Sequence, residues 1–137
     1  MKNPITVTTH VDAPVQKVWD VWNAPEHSVN WNAASPDWHT TEATNDLREG
    51  GQLTSRMEAK DGSAGFDFTG TYDRVKEHKH LAYTLSDGRK VTVDFRANGN
   101  TTVIEERFEA ENINSRELQQ QGWQAILDNF KKYTESL

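Results

Sequence analysis

The chain has 137 residues, 15 Lys+Arg against 21 Asp+Glu, a formal charge of −6 and no cysteine. That length holds one core, so residues 1–137 read as a single domain, and the missing cysteine excludes disulfides, thiolate nucleophiles, Cys-ligated zinc and iron–sulfur clusters. The acidic balance argues against a nucleic-acid partner, no apolar run approaches the ~20 residues of a membrane span, and no signal-peptide core follows Met1, so a cytoplasmic protein is expected.

Ile5, Val7, Thr9 and Val11 alternate with Thr6, Thr8 and His10, the pattern of a half-buried strand. Asp12-Ala13-Pro14 opens a helix, with Asp12 or Ala13 at its cap and Pro14 in its first turn. Val15, Val18, Trp19 and Trp22 recur at helical spacing as one apolar stripe. Pro25 ends that helix, a second short one is expected over 25–31, and Ser35-Pro36 marks a loop.

From Trp38 onward the period changes to two. Strands are expected over 38–47, 52–59, 66–75, 81–85, 90–96 and 102–108, separated by turn chemistry at Gly50-Gly51, Asp61-Gly62, Asp87-Gly88 and Asn98-Gly99. Phe66, Phe68, Gly70 and Tyr72 share one face, as do Leu81, Tyr83 and Leu85, and Val91, Val93 and Phe95. Consecutive hairpins with one apolar face predict an antiparallel sheet covered on one side. The period then returns to helical. Asn114 or Ser115 caps a helix of about 20 residues whose stripe runs through Leu118, Gly122, Ala125/Ile126, Asn129/Phe130 and Tyr133, widened by Trp123 and Leu127. The fold class is therefore α+β: a curved antiparallel sheet of about seven strands around one long C-terminal helix, with two short helices after the first strand.

The motifs carry a resemblance. Ala13-Pro14 with Val18-Trp19, Pro25-Glu26-His27, Trp31, Asp46-Leu47-Arg48-Glu49-Gly50-Gly51, Gly70-Thr71-Tyr72, and Gly122-Trp123 with Leu127 follow one another across almost the whole chain. In this order they resemble the homologues of the activator of heat-shock protein 90 ATPase, within the helix-grip superfamily of START-related and birch-pollen-allergen-like proteins. The resemblance implies a cavity between the long helix and the sheet.

Candidate chemistry is sparse. His78-Lys79-His80 falls in a turn, His10 faces outward, His27 belongs to a motif and His39 could face either way; none has metal-ligand spacing, so no metal or cofactor is expected. No serine has a nucleophile setting and no catalytic residue is assigned. Arg48 and Arg56 pair across a hairpin with Glu42, Asp46 or Glu58, or else an arginine guards a cavity mouth. Glu106 shares a face with Ile104 and Phe108. If that face is inward, Glu106 is a buried carboxyl; the more ordinary placement is solvent or an arginine partner.

The aromatic residues are the stronger signal. Four of the five Trp lie between positions 19 and 38, and with Trp123 they are expected to cluster at one end of the helix–sheet space. Trp22, Trp31, Trp38, Met57, Phe66, Phe68, Tyr72, Tyr83, Phe95, Glu106, Trp123 and Leu127 are the candidate ligand-binding residues, and the expected function is non-catalytic binding of a small hydrophobic or aromatic molecule. Gly122, costly inside a helix, marks either close packing or room for that ligand. The alternatives are a stress-response module that contacts a chaperone through its surface, and a helix-grip enzyme of cyclase or hydrolase type.

Overall fold

A computed structural model describes residues 1–137. The chain runs β1 (Pro4–Val11), α1 (Val15–Asn23), α2 (Pro25–Trp31), β2 (Trp38–Asn45), β3 (Gln52–Ala59), β4 (Gly65–Lys76), β5 (His80–Leu85), β6 (Lys90–Asn98), β7 (Thr101–Glu109) and α3 (Arg116–Glu135). The seven strands form one curled antiparallel sheet in the order β1-β7-β6-β5-β4-β3-β2. Each strand after β2 follows its neighbour through a tight turn, whereas β1 pairs with the last strand, β7. The α+β architecture expected from the alternation, and the helix-grip fold that the resemblance implies, are observed.

Inward positions form the core. Val7, Val91, Val93, Ile104 and Phe108 are almost fully buried on the sheet, and Leu127 and Phe130 meet them from α3. Register shifts between Thr40 and Glu42 in β2, and between Tyr72 and Arg74 in β4, bend those strands and help the sheet curl.

Three local expectations change. The N-cap of α1 is Pro14, in extended backbone with no side-chain cap, rather than Asp12 or Ala13. Its carbonyl accepts the first helical bond, from Val18 N at 3.1 Å. β2 stops at Asn45, because Asp46 N bonds Gln52 O and already begins the turn. On α3, capped by Ser115 Oγ accepting from Leu118 N at 3.1 Å, Leu118 is 55% exposed and Gln119 is buried in its place. The stripe is rotated by one residue because the helix docks toward one edge of the sheet.

That docking is specific. Arg116 donates to the carbonyl oxygens of Asn3 and Pro4, Gln124 Nε2 to Thr8 O at 3.0 Å, and Lys131 Nζ to His10 O. Glu135 Oε2 accepts from Asp12 N at 2.7 Å. The helix is thus laced along the edge strand β1 and satisfies backbone groups that an edge would leave open. At the opposite edge α2 lies against β2, with Thr40 Oγ1 donating to Asn32 O at 2.6 Å and Asn45 Nδ2 to Asn23 O at 2.8 Å.

The β2–β3 turn is held against β4 by Gly50 N to Tyr72 O and Tyr72 N to Gly51 O, both 2.9 Å. A Cβ on Gly51 would lie 2.1 Å from the Asp46 carbonyl oxygen, a backbone atom with nowhere to go. Gly51→Ala is therefore expected to cost ~1–3 kcal/mol, read as a lower urea midpoint at unchanged slope; an unchanged midpoint would show that the turn can move.

Candidate functional site

With α3 on one edge and α2 on the other, the concave face of the middle strands is only bridged. A cavity of about 540 Å³ lies there, within the usual range for small-molecule sites. Its 26 lining residues, 13 of them hydrophobic, come from α1, α2, the strands β2 to β5, β7 and α3. Gly122 lies on the helix side of it, and a Cβ built there meets no atom within 4 Å. Of the two readings of this glycine, room rather than close packing is observed.

The aromatic walls form two groups. Trp22 contacts Trp31 with ring centroids 5.1 Å apart, and both meet Phe130 edge-on at 4.9 Å. Seven residues earlier on α3, Trp123 stacks flat on Phe108 at 3.9 Å and meets Phe68 at 6.1 Å. The tryptophans are thus not gathered at one end, as expected: Trp22 and Trp31 are on one wall, Trp123 is on the other, and Trp19 and Trp38 lie outside the cavity.

Between those walls lies Glu106. It occupies the inward position of β7 between Ile104 and Phe108, in register with Val7 of β1 and Val93 of β6. It is 6% exposed. Burial alone pushes its pKa up to about 8, and no hydrogen bond from the protein offsets the loss of water. The ordinary placement, in solvent or beside an arginine, is overturned; the outward face of β7 takes Glu105 instead, which pairs with Arg96 and Arg107. Tyr83, also 6% exposed, lines the same cavity; burial, with the Glu106 charge second, raises its phenol well above the ordinary 10. Tyr72 donates its hydroxyl to Asn45 Oδ1 at 2.7 Å, and burial raises it to about 12. Asn45 is itself anchored by the carbonyl of Asn23, so a polar chain runs from α1 to the cavity wall.

Nine of the twelve candidate residues are brought to this cavity: Trp22, Trp31, Met57, Phe66, Phe68, Tyr72, Tyr83, Glu106 and Trp123. Phe66 stands at the mouth, 50% exposed. Three are not. Phe95 and Leu127 are core residues, 3% and 0% exposed: Trp19 and Trp22 of α1 pack edge-on against Phe95, and Leu127 is buried on the sheet-facing side of α3. Trp38 borders a separate depression that Trp31 shares. Arg89, Glu111 and Gln119 also line the cavity and escaped the sequence reading; they are brought there by the β5–β6 turn, the segment before α3 and the first turn of α3.

The histidines lie elsewhere. His27 Nδ1 meets Tyr133 Oη at 2.6 Å, His80 Nδ1 meets Asp94 at 2.8 Å, and His78 packs edge-on to Trp19. No group of three or more His, Asp or Glu side chains is placed to hold a metal ion. Arg48 pairs with Asp46 at the surface, and Arg56 with Glu58 and Asp67. No helix is long and apolar enough to cross a membrane.

Comparison with known proteins follows the same lines. The family model for activator of Hsp90 ATPase homolog 1-like protein matches residues 12–135. The solution structure of an AHSA1-like protein from Aeromonas hydrophila is 47% identical, with a TM-score of 0.90 over 97% of this chain and 92% of that one. A protein from Cytophaga hutchinsonii is 54% identical, with a TM-score of 0.85 over 98% of this chain and 93% of that one. A protein from Chromobacterium violaceum shares the fold at 18% identity, with a TM-score of 0.87 over 97% and 98% of the two chains. No curated protein matches the sequence.

The Glu106 carboxyl keeps its proton up to about pH 8 in the fold, against 4.5 when exposed. Between those values the native state binds one more proton than the unfolded chain, so stability falls as pH rises, at up to ~1.4 kcal/mol per pH unit. Glu106→Gln removes this loss. In urea unfolding its advantage over the parent is expected to be small near pH 5 and to grow by a few kcal/mol toward pH 8. A constant difference would mean that the carboxylate is already ionised in the folded protein.

Proposed function

Since the chain belongs to the activator of Hsp90 ATPase homolog 1-like protein family, whose helix-grip fold is of ligand-binding type, we propose that it is a non-catalytic binder of a small hydrophobic or aromatic molecule held between α3 and the sheet. The observation that carries this reading is the 540 Å³ cavity itself, walled by Trp22, Trp31, Phe68 and Trp123 and left open by Gly122. Apolar walls supply affinity through area removed from water. Tyr72, Tyr83 and Glu106 supply the few polar contacts that orient such a ligand.

Glu106 also favours a second reading, an enzyme in which a buried neutral carboxyl works as general acid. It ranks below binding because the other carboxylate lining the cavity, Glu111, is engaged by Asn114 through both its oxygens, and the phenols of Tyr72 and Tyr83 are held protonated by burial.

Gly122 allows a test that separates binding from folding. Gly122→Ala is expected to stabilise the protein by ~0.5–1 kcal/mol, since it gains helix propensity without a clash. Gly122→Leu should keep the fold and fill the cavity. With N-phenyl-1-naphthylamine as the probe, the parent is expected to bind saturably, with amide shifts at Tyr83 and Trp123, and Gly122→Leu to lose at least about tenfold in affinity. Binding untouched by Gly122→Leu, or no saturable binding, overturns the proposal.

A further inference from the structure

Two polar side chains in the cavity have no partner in the protein. Glu106 and Tyr83 are each 94% buried, each line the cavity, and neither makes a hydrogen bond to another residue. The third unpaired group there, the Trp31 indole N–H, has no accessible surface and reaches no ligand. The Tyr72 hydroxyl is already committed as a donor to Asn45.

The sheet register places the two side chains on neighbouring inward rows. Glu106 is level with Val93 and Leu81, and Tyr83 is level with Val91 and Phe108, one inward step away. The curl of the sheet turns both toward the same cavity, from β5 and β7 with β6 between them. Unlike the sealed Trp31 N–H, their polar atoms open onto the cavity, and two such groups on one wall with no protein partner point to a ligand atom that pairs them.

Resting on the binding reading above, we infer that the Glu106 carboxylic acid and the Tyr83 hydroxyl form a paired donor site for one neutral acceptor oxygen, the carbonyl of a ketone or quinone on an otherwise apolar ligand. A carbonyl oxygen has two lone pairs, accepts from both donors and demands no acceptor in return. An anionic head is disfavoured because no cation lies on this wall. Arg89 is at the rim and already engages Asp87 at 2.8 Å and the Glu109 carbonyl. A cationic head would require ionising a carboxyl packed among Val7, Val93, Ile104 and Phe108, with both charges out of water.

The surroundings of Glu106 hold few other charges. On β1 it is level with Val7 and on β6 with Val93, with Ile5 and Val91 one inward step away beside Phe108. From β4 and β5 it faces the phenols of Tyr72 and Tyr83, and from α3 Gln119, Trp123 and Ile126. α1 and α2 contribute Trp22 and Trp31, and only Arg89 and Glu111 at the rim carry charge. Near neutral pH the acid is protonated and donates; as pH rises past about 8 the donor becomes a repelling carboxylate, while burial keeps Tyr83 protonated.

The experiment compares three probes on one carbon frame by NMR titration: 2-ethylnaphthalene, 2-acetylnaphthalene and 1-(2-naphthyl)ethylamine. At about pH 6.5 the ketone is expected to bind ~5-fold or more tightly than the hydrocarbon, a preference that vanishes by about pH 9.5 as the acid ionises. Glu106→Gln, which keeps a donor, should retain the preference and lose its pH dependence. Tyr83→Phe should weaken the preference and leave hydrocarbon affinity intact. Equal binding of ketone and hydrocarbon by the parent overturns the inference and leaves the binding reading standing. The same holds if the amine binds tightest. Failure of all three probes overturns both.

Discussion

The position of one helix governs this molecule. Seven strands at ~4.8 Å spacing make a sheet roughly 29 Å wide before it curls, and a helix with its side chains covers only ~10 Å of it. α3 is fastened to the β1 edge by side chains that reach backbone groups on successive turns, and α2 occupies the β2 edge. Neither can then cover the middle. Had α3 lain along the centre of the concave face, the same apolar residues would have closed into a solid core and Gly122 would have had a neighbour.

Several local rules are broken around this space, and they are broken together. A carboxyl interrupts an apolar stripe on β7, a glycine sits in the interior of a long helix, and a hydroxyl faces the interior without a partner. Each lowers stability by itself. Departures of this kind from the stability optimum gather at sites kept for another purpose, and here all of them touch the same 540 Å³.

The architecture was legible from periodicity because the sheet is covered on one face only, so alternation and burial coincide strand by strand. The hairpin turns at Gly62, Gly88 and Gly99 take the positive φ that their dipeptides predict. The site was legible less evenly. Trp22, Trp31, Tyr72, Tyr83 and Trp123 reach the cavity as expected, but Phe95 and Leu127 have the same periodicity and are core. What separates them is where the helices touch down, a long-range distance that no local pattern encodes. Glu106 was ambiguous for a related reason: alternation on β7 defines two faces, and only pairing with Val7 and Val93 decides which is inward. Rim residues such as Arg89 arrive through turns and left no local mark.

The lacing of α3 to β1 and of α2 to β2 has a further consequence for how the protein meets other chains. A sheet with open edges can recruit a strand from a partner peptide or from a second copy of itself, and natural proteins guard against this with charges, prolines or covers. Here backbone carbonyls of β1 are already engaged by α3, at Thr8 and His10, while on the other side the side chains of Thr40 and Asn45 tie β2 to the carbonyls of Asn32 and Asn23. Sheet extension at the β1 edge is therefore opposed by the same contacts that hold α3 away from the middle of the sheet.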